Sequence, residues 1–168
     1  MKEACVFDID GVLLDVSERY SYALRVDPRR GEIFWKIFFA EELLALDKPL
    51  GIGIENLYRC IKRNYDVIIL SGRPERLREA TIKQLGDIGL LEGKEYKKLI
   101  LRRDSDMRKS YIFKIEVIRN LTRNYIIREI HDDDIEFLRR ILQIVSDATL
   151  FYYENNNNVR ILKRLNYF

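Results

Sequence analysis

Two carboxylates and a glycine follow a short apolar segment near the start of the chain, within VFDIDGV at residues 6–12. Such a segment places the acids at the carboxyl end of a strand, where open α/β sheets form their ligand crevice. Alternation along the strand puts Asp8 and Asp10 on the same face. Two like charges held close together require a shared proton or a cation. The motif therefore predicts either a cation-dependent acidic site or a polar strand end beside a turn.

Other polar residues stand after later apolar segments. Ser71–Arg73 follows one such segment, and Asp132 and Asp133 follow another. Lys114 lies in a helical pattern that precedes the segment ending at Asp132. Because the carboxyl ends of parallel strands meet at one edge of a sheet, we expect these residues to converge on Asp8. Carboxylates gathered there would repel one another severely without a cation.

Five short apolar segments, rich in β-branched and aromatic residues, have the pattern of strands buried on both faces. They are Ala4–Ile9, Asp66–Leu70, Lys98–Leu101, Tyr125–Ile130 and Thr149–Tyr153. Helical patterns alternate with them, at Ile54–Arg63, Pro74–Leu85, Tyr111–Leu121 and Asp134–Ile144. Pro74 is expected in the first turn of its helix. This alternation predicts an α/β fold with a doubly wound parallel sheet.

The interval between the first two strands is longer than a simple crossover requires. Val16–Ala23 and Glu32–Leu46 look helical, and the second segment is rich in aromatic residues. We expect a short helical insert at about residues 16–48 and no large cap. Its aromatic residues are expected to pack on the sheet domain, to cover the mouth of the site, or to do both. Near the C-terminus we expect a polar loop at Asn155–Asn158 and a basic, apolar tail at Val159–Phe168.

The composition is that of a globular protein, with 47% hydrophobic and 34% charged residues among 168. We expect residues 1–168 to form one domain. No apolar run approaches the roughly 20 residues that a membrane span needs, and the N-terminus leaves no room for a signal peptide. Cys5 and Cys60 lack the spacing of a zinc or redox motif. We therefore expect both to be buried and reduced, in a cytoplasmic protein.

The net charge is only +3, but the basic residues are unevenly distributed. The stretch from Lys97 to Arg128 contains ten basic residues and three acidic ones. Such a block suits a polyanionic ligand, although surface lysines and arginines more commonly form a solvated helix face.

The ordered set of motifs resembles the haloacid dehalogenase (HAD) superfamily of aspartate-nucleophile phosphohydrolases over nearly the whole chain. It is most similar to the small phosphatase domain of bacteriophage polynucleotide kinase and its stand-alone relatives. The motifs that carry the resemblance are DxDG at residues 8–11, Arg19, Ser71-Gly72-Arg73, Asp106-x-Arg108-Lys109-x4-Lys114, Asp132-Asp133, WKIFF at residues 35–39, and Asp47-Lys48-Pro49.

The resemblance implies a division of labour among the acids. Asp8 would be the nucleophile that forms an aspartyl phosphate, and Asp10 would be the general acid and then the general base. Mg²⁺ would be held by Asp8, the backbone carbonyl of Asp10, and the pair Asp132 and Asp133.

The resemblance also implies how the phosphate is held. Ser71 and Lys114 would orient and neutralise the phosphoryl oxygens. Gly72 and the arginines Arg19 and Arg73 would contact the substrate phosphate, which arginine binds in a bidentate manner.

Several neighbouring residues admit two interpretations. Lys109 is a rival for the role of Lys114, which we prefer because its distance from the Asp132 strand fits the pattern better. Asp134 stands where the relatives usually have arginine, and we expect it to cap a helix. Ser110 replaces an acid of the phage phosphatase, which would loosen the orientation of Lys114. His131 is expected to pack at a strand end instead of taking part in catalysis.

These expectations combine into a Mg²⁺-dependent phosphomonoester hydrolase. An open mouth and a basic segment favour a phosphorylated nucleic-acid end, especially a 3′-phosphate. The alternatives are a small-molecule phosphatase acting on nucleotides or sugar phosphates, and a non-catalytic nucleic-acid-binding or scaffold protein. There is no P-loop, so a kinase domain is not expected. The sequence predicts no membrane partner and leaves the oligomeric state open.

Overall fold

The computed structural model describes residues 1–163, so residues 164–168 of the predicted tail lie outside the described residues. The strands are β1 Lys2–Phe7, β2 Leu14–Asp15, β3 Lys48–Pro49, β4 Asp66–Pro74, β5 Lys98–Arg102, β6 Tyr125–Asp132, β7 Thr149–Asn155 and β8 Asn158–Lys163. Six of them form a sheet in the order β5-β4-β1-β6-β7-β8, and β2 pairs separately with β3.

The first five strands of that order pair in parallel, and β8 runs antiparallel to β7. The predicted α/β fold is therefore confirmed. The polar loop at Asn155–Asn158 is the turn between β7 and β8. The prediction missed β8, because Asn158–Lys163 carries charged residues that hide the strand pattern.

Helices cover both faces of the sheet. They are α1 Ser17–Val26, α2 Glu32–Phe38, α3 Gly51–Lys62, α4 Arg78–Asp87, α5 Ser110–Leu121 and α6 Ile135–Ile141, with 3₁₀ turns at Glu41–Leu46 and Glu75–Leu77. Along β1, Cys5 and Phe7 belong to one apolar cluster, and Ala4 and Val6 belong to the other. Both faces of β1 are thus buried, as predicted, and both cysteines are buried and free.

The insert after β1 consists of α1, α2 and the 3₁₀ turn at Glu41–Leu46, and residues 1–163 include no larger cap. Ala23, Phe34 and Phe38 form its own small apolar core. The single helix predicted for residues 32–46 is wrong, since α2 ends at Phe38. The carbonyl of Phe38 accepts a 2.6 Å hydrogen bond from Arg19 Nη1, and Ala40 has an extended backbone, so the helix does not continue.

Three predicted boundaries also need correction. β1 ends at Phe7, so Ile9 and Asp10 lie beyond it and the alternation predicted for Asp8 and Asp10 does not apply. Pro74 is the last residue of β4, with an extended ψ of 148°, and not part of a helical turn. The helix predicted for residues 134–144 ends as α6 at Ile141. Within residues 1–163, no helix is long and apolar enough to span a membrane.

Candidate active site

The strand order brings most of the predicted site residues to one edge of the sheet. β4, β1 and β6 are adjacent and parallel, so their carboxyl ends lie together. Asp8 directly follows β1, Ser71 lies late in β4, and Asp132 is the last residue of β6. The N–H of Asp8 donates to the carbonyl of His131 at 2.9 Å, which joins the ends of β1 and β6.

Lys114, on α5, connects two of the acids. Its Nζ donates to Asp8 Oδ2 at 2.8 Å and to Asp132 Oδ2 at 2.7 Å. All three residues are buried. Burial opposes the ammonium charge, but Asp132 and Asp8 outweigh it and raise the pKa of Lys114. Lys109 precedes α5, is exposed, and forms no ion pair within the described chain, so Lys114 is the lysine that contacts the acids.

Asp8, Asp132 and Asp133 form a compact acidic group, in which one carboxylate oxygen from each residue lies within 4.8 Å of the other two. Burial raises the pKa of Asp8 to about 7, and the charge of Asp132 adds to this against the opposing effect of Lys114. Burial also raises the pKa of Asp132. Asp133 is partly open to solvent, yet desolvation of its carboxyl in the crevice and the charges of Asp8 and Asp132 raise its pKa well above the ordinary value.

This donor set fits a hard divalent cation. All three groups offer carboxylate oxygens, the ligands that Mg²⁺ prefers, and Lys114 carries too little charge to neutralise them. Gly11 has a left-handed φ of +79°, and a Cβ there would lie 2.3 Å from Asp133 Oδ2. Glycine therefore permits the close approach of Asp133 to the turn after β1. Because these carboxylates are crowded and desolvated, ionising them costs free energy, as their raised pKa values indicate. A bound cation would lower that cost.

The carboxylate of Asp10 has different partners from that of Asp8. Its Oδ1 accepts from Arg19 Nη2 at 3.1 Å and from Arg73 Nη2 at 2.6 Å. Both arginines also bind the buried carboxylate of Asp47. Burial of Asp10 disfavours its charge, but Arg73 and Arg19 outweigh burial and lower its pKa. Asp10 is thus held as an anion, apart from the acidic group around Asp8.

Arg19 and Arg73 are both 0% exposed. All five N–H groups of Arg73 are directed at Asp10, Asp47, Thr81 and Gln84. A substrate phosphate would have to displace these partners. In this geometry the arginines position Asp10, and the contact with substrate predicted for them remains untested.

Ser71 and Gly72 lie beside the acids on β4. Ser71 is buried, and its Oγ accepts from the N–H of Arg73 at 3.2 Å. A Cβ on Gly72 would lie 2.6 Å from Ser110 Oγ, so glycine lets the start of α5 approach β4. Ser110 therefore contacts the strand that carries Ser71, one turn of helix before Lys114.

The two remaining predictions near the site concern packing. Asp134 Oδ1 accepts from the N–H groups of Glu136 and Phe137, which confirms its role as the N-cap of α6. His131 is stacked between the rings of Phe7 and Phe151, with centroid distances of 4.0 and 4.3 Å, which confirms that it packs at the strand end.

Sequence reasoning missed the roles of Asp47 and Gln84. Asp47 accepts from Arg19, Arg73 and the amide of Gln84, and its side chain is fully buried. The stretch Asp47-Lys48-Pro49 was already part of the family resemblance, so a signal was present. Nothing in the local sequence links it to Asp10, because the link passes through two arginines from other elements.

Comparisons with known proteins agree with this geometry. The family model for the HAD superfamily, subfamily IIIB (acid phosphatase), matches residues 1–146. A chain of the Pnkp1/Rnl/Hen1 RNA repair complex superposes with a TM-score of 0.68 at 22% identity, over 90% of this chain and 42% of that chain. The class C acid phosphatase from Bacillus anthracis superposes with a TM-score of 0.58 at 21% identity, over 87% of this chain and 61% of that one.

The chain thus spans less than half the length of the repair-complex chain that it resembles, and at these identities the structural likeness shows the fold. No curated protein sequence matches significantly. The family model covers most of the chain, from the Asp8 motif through Asp132, Asp133 and α6. The chain therefore belongs to the HAD superfamily, subfamily IIIB, a family of phosphatases.

Proposed function

We propose that this HAD phosphatase is a Mg²⁺-dependent phosphomonoester hydrolase that uses Asp8 as its nucleophile and acts on phosphorylated nucleic-acid ends. The observation that carries the proposal is the separation of two neighbouring carboxylates into different environments. Asp8 lies with Lys114, Asp132 and Asp133, whereas Asp10 lies with two arginines. Carboxylates whose environments differ in this way commonly have different catalytic roles.

In the first step an oxygen of Asp8 bonds to phosphorus while the bond from phosphorus to the leaving oxygen breaks. Asp10, once it carries a proton, gives that proton to the leaving oxygen. In the second step Asp10 takes a proton from water, whose oxygen attacks phosphorus and releases inorganic phosphate and free Asp8. Lys114 would neutralise the phosphoryl oxygens and Ser71 would orient them.

Mg²⁺ bound by Asp8, Asp132 and Asp133, with the predicted carbonyl of Asp10, would screen the approach of a carboxylate to a dianionic phosphate. The chain's own contribution is to hold Asp8 ready for attack and to keep Asp10 apart from the acidic group. Asp10 is ionised in the arrangement seen here, so it can accept the proton of water, and it must gain a proton before it can act as the acid of the first step.

Three observations favour a nucleic-acid end as substrate, and we propose a 3′-phosphate as its preferred form. The insert is short, so within the described residues no large cap blocks the approach of a long substrate. Arg103 and Lys109 are exposed near the same edge and form no ion pair within residues 1–163, so they are free to meet a phosphate backbone. The superposed Pnkp1/Rnl/Hen1 complex is an RNA repair complex, which supports the same substrate class. The second candidate is a small phosphomonoester, favoured by the acid phosphatase family model.

Phosphate release from 3′- and 5′-phosphorylated oligonucleotides, mononucleotides and an aryl phosphate, with Mg²⁺ or with a chelator, tests the proposal. We expect release that needs Mg²⁺ and that Asp8→Asn abolishes, together with an acid-stable phosphoprotein trapped only when Asp8 is present. Activity that survives Asp8→Asn or chelation would contradict the mechanism. Hydrolysis of small esters without hydrolysis of oligonucleotides would contradict only the substrate, and oligonucleotide binding without any turnover would indicate a binding protein.

A further inference from the structure

An aromatic surface lies on the insert, outside the acidic site. Trp35 on α2 keeps 43% of its surface exposed, although its ring contacts those of Phe34 and Phe38. Phe39 is half-buried and lies nearly parallel to Trp35, with a centroid distance of 5.9 Å and an interplanar angle of 22°. The core of the insert uses Phe34 and Phe38, so packing does not account for the exposed indole.

This surface is directly connected to the catalytic residues. The carbonyl of Phe38 accepts from Arg19, whose guanidinium lies 4.2 Å from the centre of the Phe38 ring. The same guanidinium binds Asp10. A single arginine side chain therefore separates the end of α2 from the proposed acid–base residue. Trp35 and Phe39 both contact the ring of Phe38, with ring-centre distances of 5.8 and 5.0 Å.

Two cations lie beside the aromatic surface. The guanidinium of Arg30 lies 5.5 Å from the ring centres of Tyr20 and Phe34 and 5.6 Å from that of Trp35. Lys36 is exposed beside Trp35, and neither cation forms an ion pair among the described residues. The helix α2 contains one acid, Glu32. Cations that flank an exposed aromatic ring complement a strand whose bases are planar and whose backbone is anionic.

We propose that Trp35, supported by Phe39 and flanked by Arg30 and Lys36, stacks on a base next to the phosphorylated end of a single-stranded nucleic acid. The inference rests on the proposed function and specifies its substrate as a strand with an unpaired base at the end. Stacking is tolerant of sequence, because every base has a π face, so we expect little preference among the four bases.

Trp35 is the only tryptophan in the chain, so its fluorescence reports on this surface alone. We expect a 3′-phosphorylated single-stranded oligonucleotide to quench that fluorescence in the full-length protein. A strand of the same length and charge, with abasic sites in place of the bases near its 3′ end, should not quench it. Equal effects of the two strands would overturn the stacking proposal.

Variants separate stacking from folding, with binding followed by the anisotropy of labelled strands. We expect Trp35→Ala to weaken binding of the base-bearing strand by about 10-fold, or about 1.4 kcal/mol, and to remove its advantage over the abasic strand. Trp35→Phe should keep most of that advantage. Ile33→Ala is the matched control, because Ile33 lies on the same helix, is apolar, and is 59% exposed. An advantage that persists in Trp35→Ala, or that disappears in Ile33→Ala, contradicts the proposal.

The two proposals fail in distinguishable ways. Quenching without phosphate release from any oligonucleotide would leave the stacking surface in place and overturn the proposed substrate. Phosphate release from oligonucleotides without quenching would support the proposed function and overturn the role of Trp35.

Discussion

At the scale of single residues, Lys114 and Asp10 show how neighbours set the chemistry of a side chain. Lys114 contacts Asp8 and Asp132 from a buried position, and Asp10 is held by two buried arginines. Removing one partner from a buried ionic contact leaves an uncompensated charge, which is costly. Substitutions at these positions should therefore affect activity much more than substitutions of exposed charges nearby.

We predict that Lys114→Met lowers kcat/KM for phosphate release by about 100-fold or more, because a donor to the developing charge is lost. Lys109→Met, five residues earlier on the exposed side, should stay within about 2-fold. Steady-state kinetics on an aryl phosphate, which has no backbone for Lys109 to meet, compares the two, with circular dichroism to show that both variants fold. A larger loss of kcat/KM in Lys109→Met than in Lys114→Met would indicate that Lys109, and not Lys114, neutralises the phosphoryl oxygens.

At the scale of elements, the site depends on how closely helices approach the turn after β1. The start of α3 packs against that turn, where a Cβ on Gly53 would lie 1.7 Å from the carbonyl oxygen of Val12. Gly11 and Gly72 permit similar approaches, of Asp133 and of α5 respectively. The position of Asp8 and Asp10 is thus set by contacts that exclude even a methyl group.

We predict that Gly53→Ala lowers the free energy of unfolding by about 1–3 kcal/mol, since α3 must move away from Val12. Gly51→Ala is the matched control on the same helix, because a Cβ there meets nothing within 4 Å. It should be neutral or slightly stabilising. Urea unfolding measures both, and equal losses in the two variants would show that crowding at Val12 is not the cause.

A second group of contacts joins β6 to α3 beneath the site. The carboxylate of Glu129 accepts from Arg59, Arg63 and the ring of His131, whose other nitrogen lies 2.9 Å from the hydroxyl of Tyr153. Burial of Glu129 opposes its charge, but the hydrogen bond from His131 and the charge of Arg59 lower its pKa to about 2. Burial lowers the pKa of His131 to about 4, so its ring is neutral at pH 7. An ionised Glu129 therefore stabilises the fold.

The pH dependence of this contribution has a definite sign. A carboxyl with an ordinary pKa of 4.5 and a folded pKa of about 2 stabilises the folded state above about pH 4.5 and loses that effect as the pH falls towards 2. We predict that Glu129→Gln costs about 3 kcal/mol at pH 7, and that its difference from the wild type shrinks below pH 4.5. Glu136→Gln, in an exposed pair with Arg140, should change stability by less than about 1 kcal/mol. If the difference in the free energy of unfolding between Glu129→Gln and the wild type grew as the pH fell, ionised Glu129 would not be the stabilising group.

At the scale of the whole molecule, the acidic group couples metal binding to stability. Asp8, Asp132 and Asp133 repel one another in the folded state and are separated in the unfolded chain. A ligand that binds only the folded state raises its stability by mass action. The assignment of residues 1–168 to a single domain is still a prediction.

We predict that Mg²⁺ at 100 times its Kd stabilises the fold by about 2.7 kcal/mol, which corresponds to a Tm increase of about 5–10 °C. Asp133→Asn should remove most of this increase, whereas Asp87→Asn, in an exposed pair on α4, should leave it intact. Thermal unfolding with Mg²⁺ and with a chelator measures the shift. An unchanged shift in Asp133→Asn would place the cation elsewhere.

Features that depend on local pattern were predictable from the sequence. The strands β1 and β4–β7 follow from apolar segments buried on both faces, and Asp134 follows as an N-cap from its place before an apolar helix. The family resemblance then placed Asp8, Lys114 and Asp132 in one site. The convergence of Asp8 and Asp132 follows from the parallel order of β1 and β6, and α5 brings Lys114 to both.

Features that depend on distant partners were not predictable in this way. Pro74 ends a strand beside Arg73, which binds Asp10 and Asp47. The helix α2 ends at Phe38, where Arg19 binds the Phe38 carbonyl. Propensity and spacing describe a segment and its neighbours in sequence, whereas a buried charge takes its partner from any element that packs against it. The sequence therefore indicates the fold, the acids and the reaction, and the packed chain determines which charges pair, which carboxylate is kept ionised, and which aromatic ring stays exposed.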